Sequence, residues 1–142
     1  MTYNFLKKRI KKNEGFSKKP YKDQLGNRTI GYGHLIKKDE KFFFKKNYNK
    51  VFFIKLFEKD FKISKQEFNK HFKKLNLKKK EKELLIEMIF QMGITNVKNF
   101  KKMFFYIKKK KKYLTVLEML DSLWYKQTPK RVENLLKHYL KQ

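Results

Sequence analysis

The sequence predicts an α+β fold in which a small β element near the N-terminus is joined to a larger all-helical lobe. Turn-forming residues are concentrated early, since most of the five glycines and one of the two prolines lie within residues 14–34. Beyond residue 36 glycine is almost absent, and apolar residues recur at helical spacing. The 142 residues, 40% of them hydrophobic, suffice for one domain with a core. We expect a β lobe at about residues 13–46 and a helical lobe made of residues 47–142 and an N-terminal helix at 3–13.

The first predicted elements are a short helix and a hairpin. Phe5, Leu6 and Ile10 follow the spacing of one helix face, and the helix is expected to stop near Gly15. Residues 21–36 contain two short extended runs, with the turn residues Gly26 and Asn27 between them. This pattern predicts a β-hairpin directly after the first helix.

Capping signals and apolar periodicity predict the later helices. Three start signals occur: Ser64 with Glu67, Thr115 with Glu118, and Thr128 followed by Pro129. A further start is expected at Asn47 or Asn49. Residues 84–92 are apolar on nearly every side, which predicts a central helix that ends at Gly93. The expected apolar faces are Val51, Ile54, Phe57 and Phe61; Phe68, Phe72 and Leu75; Val97, Phe100, Phe104 and Ile107; and Val132, Leu135, Leu136, Tyr139 and Leu140.

The net charge of +26 has two interpretations. A strongly positive protein is attracted to polyanions such as nucleic acid, anionic lipid or charged cell-wall polymers. An AT-rich genome would also enrich lysine, and the lysines are spread along the chain. Cysteine is absent, which excludes disulfides and thiolate metal sites, and we expect no metal and no cofactor. The sequence shows no secretory signal and no membrane-spanning run.

Glu14, Asp23 and Thr29 are the candidate catalytic residues. Glu14 ends the first helix, where unpaired carbonyls disfavour an anion, and Asp23 lies beside a turn and Lys22, where an ionised carboxylate is favoured. Two carboxylates in opposite protonation states are what glycoside hydrolysis requires. Alternation along the strand places Gly31 and Gly33 on the face of Thr29, which would leave a groove wall free of side chains. Each of these residues could equally be an ordinary surface or turn residue.

Three sequence blocks resemble the phage-type (T4-like) lysozymes of glycoside hydrolase family 24. The blocks are E-x8-D-x5-T followed by TIGYGHL, the segment LLIEMIFQMGITNVKNF at 84–100, and SLWYKQTPKR at 122–131. The resemblance implies a lysozyme-like fold with a cleft between the lobes. It also implies hydrolysis of the β-1,4 bond between N-acetylmuramic acid and N-acetylglucosamine, with inversion.

The resemblance assigns roles to individual residues. Glu14 would be the general acid, Asp23 the second carboxylate, and Thr29 the residue that helps place the attacking water. His34 and Asp60 match a family pair that we interpret as a structural salt bridge; a catalytic His34 is the alternative. The predicted substrate-binding residues are Gly31, Leu35, Phe90, Gln91 and Arg131.

The sequence therefore predicts a monomeric muramidase that lyses bacterial cells. Its expected partner is peptidoglycan, with anionic cell-wall polymers or lipopolysaccharide attracted by charge and no specific nucleic acid. Without a signal, the enzyme would remain in the host cytoplasm until the membrane is breached. The rival classes are a nucleic-acid-binding protein and a cationic protein that disrupts membranes without catalysis.

Overall fold

The computed structural model describes residues 2–141 and confirms the α+β class. By compactness the chain divides into two units, Met1–Ile63 and Ser64–Gln142. The first unit contains the β-strands, and the second is helical in the part of the chain that is described. No helix within residues 2–141 is long and apolar enough to cross a membrane. The lobe boundaries expected from the sequence stay a prediction.

The first unit begins with helix α1, Asn4–Glu14, which ends at Gly15 as expected. Three antiparallel strands follow in the order β1-β2-β3: β1 Ser17–Lys22, β2 Arg28–Gly31 and β3 His34–Leu35. A 3-10 helix, Lys41–Phe44, leads to helix α2, Lys50–Phe72. The sequence predicted the hairpin but not the third strand, which has only two residues.

In the first unit, residues of the sheet, the 3-10 helix and α2 pack into one core cluster. Leu6 and Ile10 of α1 are fully buried, whereas Phe5 is 80% exposed, so its predicted place on the buried face is wrong. Ile30 of β2 packs in one cluster with Phe43 and Phe53.

Helix α2 differs from the sequence prediction in its extent and in its buried face. Its start is confirmed at Asn49, whose Oδ1 accepts a hydrogen bond from the Phe52 amide at 2.9 Å. Val51 and Ile54 are exposed, however, and Phe53 takes the buried position. No new helix begins at Ser64, because α2 runs through it to Phe72. The reason is that the buried face continues without a break through Phe57, Phe61, Ser64, Phe68 and Phe72.

The second unit contains six helices within the described residues. They are α3 Lys79–Met92, α4 Ile94–Lys98, α5 Lys101–Lys108, α6 Lys112–Leu120, α7 Leu123–Gln127 and α8 Pro129–Leu140. Helix α3 is buried on all sides from Leu84 to Ile89 and ends at Gly93, where φ is 83°. It packs against α4 and α8, and α5 packs against α6. The central helix and the last helix are therefore confirmed.

Two details of the second unit correct the sequence analysis. Thr115 does not open a helix; it lies inside α6, is fully buried, and donates from Oγ1 to the Lys111 carbonyl at 2.9 Å. A threonine inside a helix satisfies its hydroxyl in this way when its side chain is buried. The predicted stripe from Val97 to Ile107 is split between α4 and α5, with Phe100 at the junction.

Candidate active site

Glu14 is the last residue of α1, and its carboxylate lies directly against the backbone of Gly33. A Cβ added at Gly33 would stand 2.5 Å from Glu14 Oε2 and 2.6 Å from Glu14 Cδ. Gly33 has a φ of 76°, a conformation that other residues seldom adopt. Glycine at position 33 is therefore needed both for the chain path and for the space that the Glu14 carboxylate occupies.

Asp23 follows β1 and is held by the turn that leads to β2. Its Oδ1 accepts hydrogen bonds from the amides of Leu25 at 2.9 Å and Asn27 at 2.8 Å. The Gly26 amide donates to the Asp23 carbonyl at 3.0 Å and closes the turn. Within residues 2–141 both side-chain bonds go to Oδ1, and Oδ2 has no hydrogen-bond partner. The turn thus fixes the carboxylate through one oxygen and leaves the other for a ligand or water.

Asn27 links Asp23 to Thr29 through its backbone. The Asn27 carbonyl accepts from the Asp23 amide at 2.9 Å and from Thr29 Oγ1 at 3.0 Å. Thr29 is 3% exposed, and its hydroxyl proton is used in this bond, so its lone pairs can accept a hydrogen bond from water. Sequence analysis recognised Asn27 only as a turn residue, because a backbone role leaves no mark on residue type.

Tyr21 is a β1 residue that interacts electrostatically with both Glu14 and Asp23. It lies on β1 directly opposite Thr29 in the antiparallel pairing. Burial raises the pKa of the Tyr21 phenol, and the charges of Glu14 and Asp23 raise it further. One half-buried phenol therefore lies within electrostatic range of both acids. Sequence analysis missed Tyr21, although its position two residues before Asp23 on a predicted strand places it on the same face as that acid.

His34, on β3, is clamped between two carboxylates. Its Nδ1 lies 2.7 Å from Asp60 Oδ2, and its Nε2 lies 3.0 Å from Glu40 Oε1. Burial lowers the pKa of His34, but its hydrogen bonds and charge interactions with Asp60 and Glu40 outweigh burial and raise that pKa above 6.5. Burial raises the pKa of Glu40, whereas the Lys37 amide and His34 lower it, with a net shift below 4.5. The predicted pair of His34 with Asp60 is in contact, and Glu40 is a third member that sequence analysis missed.

The two other sheet residues predicted to bind substrate differ in environment. Gly31 has a φ of 66°, and a Cβ there would meet Phe53 Cδ1 at 2.8 Å. Its missing side chain therefore makes room for the core of the first unit, whereas the wall beside Glu14 comes from Gly33. Leu35 on β3 is 51% exposed and is accessible to a ligand.

Phe90, Gln91 and Arg131 lie in the second unit. Phe90 and Gln91 are half-buried near the end of α3, and Arg131 is half-buried in the first turn of α8. Gln91 Nε2 donates to Thr128 Oγ1 at 3.4 Å, and its Oε1 is buried without a hydrogen-bond partner. Their predicted contacts with substrate stay a prediction.

The acids Glu14 and Asp23 flank β1, and glycosidases use such a pair of carboxylates to cleave a glycosidic bond. Residues 11–141 match the family model for phage lysozyme. Two proteins of Dictyostelium discoideum, described as probable T4-type lysozymes 2 and 1, are each 33% identical to this chain. Each alignment covers 92% of this chain and 91% of the relative. The chain belongs to the phage lysozyme family, which confirms the predicted resemblance: it is a glycoside hydrolase, and its substrate is peptidoglycan.

Proposed function

We propose that the enzyme is a muramidase that hydrolyses the β-1,4 bond between N-acetylmuramic acid and N-acetylglucosamine with inversion. The observation that carries the proposal is the geometry of the hairpin, in which Tyr21 lies opposite Thr29 and the Asp23 amide and Thr29 Oγ1 both donate to the Asn27 carbonyl. Two carboxylates that act on one glycosidic bond must face a common region. The charge interactions of Tyr21 with both Glu14 and Asp23 support such a region.

In the proposed mechanism Glu14 donates its proton to the glycosidic oxygen. Its carboxylate lies against the backbone of Gly33, in the turn between β2 and β3. Asp23 accepts a proton from water through Oδ2, because Oδ1 is occupied by the Leu25 and Asn27 amides. That water attacks the anomeric carbon from the face opposite the leaving group, so one displacement inverts the configuration.

Thr29 is proposed to hold the attacking water. Its hydroxyl donates to the Asn27 carbonyl, so Oγ1 can act as an acceptor for one proton of the water. Asp23 and Thr29 are tied to the same residue, Asn27, and their relative position is set by backbone bonds. A fixed water between two such groups supplies the positioning on which an inverting hydrolase depends.

Glu14→Gln is the direct test, since the amide keeps the shape of the side chain but cannot donate the required proton. Hydrolysis of purified peptidoglycan is expected to fall by at least about 10². Glu118→Gln, a half-buried glutamate in α6, removes the same charge outside the proposed site and should leave the rate unchanged. Mass spectrometry of the products identifies the cleaved bond, and NMR at early times reads the anomeric configuration. Equal clearing of purified walls by Glu14→Gln and the parent protein would refute the assignment.

We further propose that the enzyme lyses bacterial cells as a phage endolysin, acting as a monomer after release from the host cytoplasm. Peptidoglycan is the load-resisting polymer of the wall, so its hydrolysis leads to lysis. Lysis is measured on cells whose inner membrane has been permeabilised and on untreated cells, and the comparison tests the route to the wall. Lysis of intact cells by the Glu14→Gln variant would instead support membrane disruption without catalysis.

A further inference from the structure

The two longest lysine runs of the chain, at 78–80 and 108–112, meet at one cavity in the second unit. The cavity has a volume of about 360 Å³. Each run contributes three lysines to its lining: Lys78, Lys79 and Lys80 from one, and Lys110, Lys111 and Lys112 from the other. Codon bias can explain how many lysines the chain has, but it does not explain why two runs thirty residues apart converge on the same concave surface.

The backbone brings the two runs together at the starts of two helices. Residues 78–80 lead into α3, and residues 110–112 join α5 to α6. Lys110 has a φ of 56°, a conformation that residues other than glycine seldom adopt. Its ammonium donates to the Asn76 carbonyl and lies 3.3 Å from Glu81 Oε2. Lys110 therefore connects the segment 108–112 to the start of α3 through its side chain.

Among residues 2–141, Glu81 is the one carboxylate that lines the cavity, and its charge is already compensated. It is 8% exposed, and its Oε2 accepts from the Lys78 amide at 2.8 Å and from Lys110. Within residues 2–141, Lys110 is the only lysine of the six that has a carboxylate within ion-pair distance. The other five lysines line the same cavity, so their positive charges add there and favour the entry of an anion.

The rest of the lining favours a compact ligand over a nucleic acid strand. Its apolar part is formed by Ile107 and Tyr139, and the Tyr139 ring is 3% exposed with Lys112 Nζ 5.3 Å from its centroid. No face of that ring is left for a base to stack on, whereas stacking platforms are the usual means of holding single strands. A volume of about 360 Å³ lies at the small end of ligand pockets and fits a small phosphorylated group.

We propose that this cavity binds the phosphate groups of a compact anion that carries at least two phosphates. Ammonium groups bind phosphate as point charges and do not demand the planar geometry that carboxylates share with guanidinium. The phosphates can belong to a free molecule, to a lipid headgroup or to a cell-wall polymer, since the recognised chemistry is the same. The cavity shares no residue with the candidate active site, so the inference does not depend on the proposed function.

The test compares two variants of equal charge by calorimetry with pyrophosphate as the probe. The cavity variant carries Lys79→Gln, Lys80→Gln and Lys111→Gln, which leaves the structural Lys110 in place. The control variant carries Lys70→Gln, Lys98→Gln and Lys126→Gln, three exposed lysines of the same unit that lie outside the cavity lining. We expect the cavity variant to bind pyrophosphate at least about tenfold more weakly, because three contacts of a few-fold each multiply, while the control stays within about twofold. Thermal unfolding at low salt confirms that both variants are folded.

Two further probes distinguish the source of the phosphate. Phosphatidylglycerol vesicles and a teichoic-acid polymer are titrated in the same way, and whichever shows the same selective loss in the cavity variant carries the recognised groups. Equal weakening of pyrophosphate binding in both variants would mean that only the overall field attracts anions, and it would overturn the proposal. Selective loss of binding to a single-stranded oligonucleotide, with no pyrophosphate binding, would overturn it in favour of a nucleic-acid site.

Discussion

Gly33→Ala is expected to remove most activity by displacing the Glu14 carboxylate. The new Cβ would stand 2.5 Å from Glu14 Oε2, about 1 Å inside ordinary van der Waals contact. The Cβ would also stand 2.6 Å from Glu14 Cδ and 2.9 Å from Glu14 Cγ, so rotation of the carboxylate alone does not relieve the clash. The side chain must move as a whole. A displacement of about 1 Å at a catalytic group costs on the order of 10² in rate.

Gly33→Ala should also destabilise the fold through backbone strain, and this effect can be measured separately from the displacement of Glu14. Alanine at a φ of 76° costs roughly 1–3 kcal/mol of unfolding free energy from backbone strain alone. Gly26→Ala is the matched control, because Gly26 has a φ of 81° but nothing within 4 Å of the position of its Cβ. The control should therefore lose similar stability from strain while retaining the geometry of Glu14. Urea denaturation and hydrolysis of purified peptidoglycan are measured on both variants.

A double-mutant cycle isolates the contact between positions 33 and 14. In a Glu14→Ala background the clashing atoms are gone, so Gly33→Ala should cost only the strain seen in Gly26→Ala. The difference between the losses of unfolding free energy caused by Gly33→Ala in the parent background and in the Glu14→Ala background is the coupling energy. The prediction is refuted if Gly33→Ala lowers the unfolding free energy equally in both backgrounds. It is also refuted if Gly33→Ala hydrolyses peptidoglycan at a rate within a few-fold of that of Gly26→Ala.

Two further predictions concern titration in the first unit. The pKa of His34 lies above 6.5 in the fold, so protonated His34 stabilises the fold fully below pH 6.5, and this stabilisation is lost as pH rises through the raised pKa. Glu40 has the opposite dependence. Its ionised form stabilises the fold, and this stabilisation is lost as pH falls below 4.5 through its lowered pKa. The unfolding free energy measured by urea denaturation should therefore decline above pH 6.5 in the parent protein and decline less in His34→Asn. If the two proteins show parallel curves of unfolding free energy against pH, the interaction of His34 with Asp60 and Glu40 does not stabilise the fold. For Tyr21, Glu14→Gln and Asp23→Asn should each lower the phenol pKa measured by ¹³C NMR, because each removes a negative charge that raises it. If either variant leaves that pKa unchanged, the two acids do not share a site.

The hairpin and its acids were predictable because their geometry is local. Glu14, Asp23 and Thr29 lie within sixteen residues, and glycine and turn chemistry fix the chain path between them. Gly26 and Gly33 have a positive φ, which glycine adopts without strain. Sequence could therefore predict which side chains are candidates, while the contact of Glu14 with the Gly33 backbone required the fold.

The capping boxes failed because a local pattern cannot register tertiary burial. Ser64 and Thr115 each precede a glutamate by three residues, yet both are buried inside helices. Capping depends on the residue being at a solvent-accessible end, and burial of the neighbouring apolar face extended the helix through both positions. The same limit hid the lysine cavity, since its two runs are brought together only by the packing of α3, α5 and α6.

Backbone groups hold two members of the candidate site, Asp23 and Thr29, in a chain with 39 lysines and arginines against 13 acids. Asp23 is fixed by two amides, Thr29 by a carbonyl, and Glu14 rests on the backbone of Gly33. The contacts of Asp23 and Thr29 are made to backbone groups and not to charged side chains that a shift in composition could replace. Lysine enrichment can therefore change the surface extensively while the positions of Asp23 and Thr29 stay set by the turn from Asp23 to Asn27. Substitutions of surface lysines should accordingly alter adsorption to anionic polymers far more than the rate of bond cleavage.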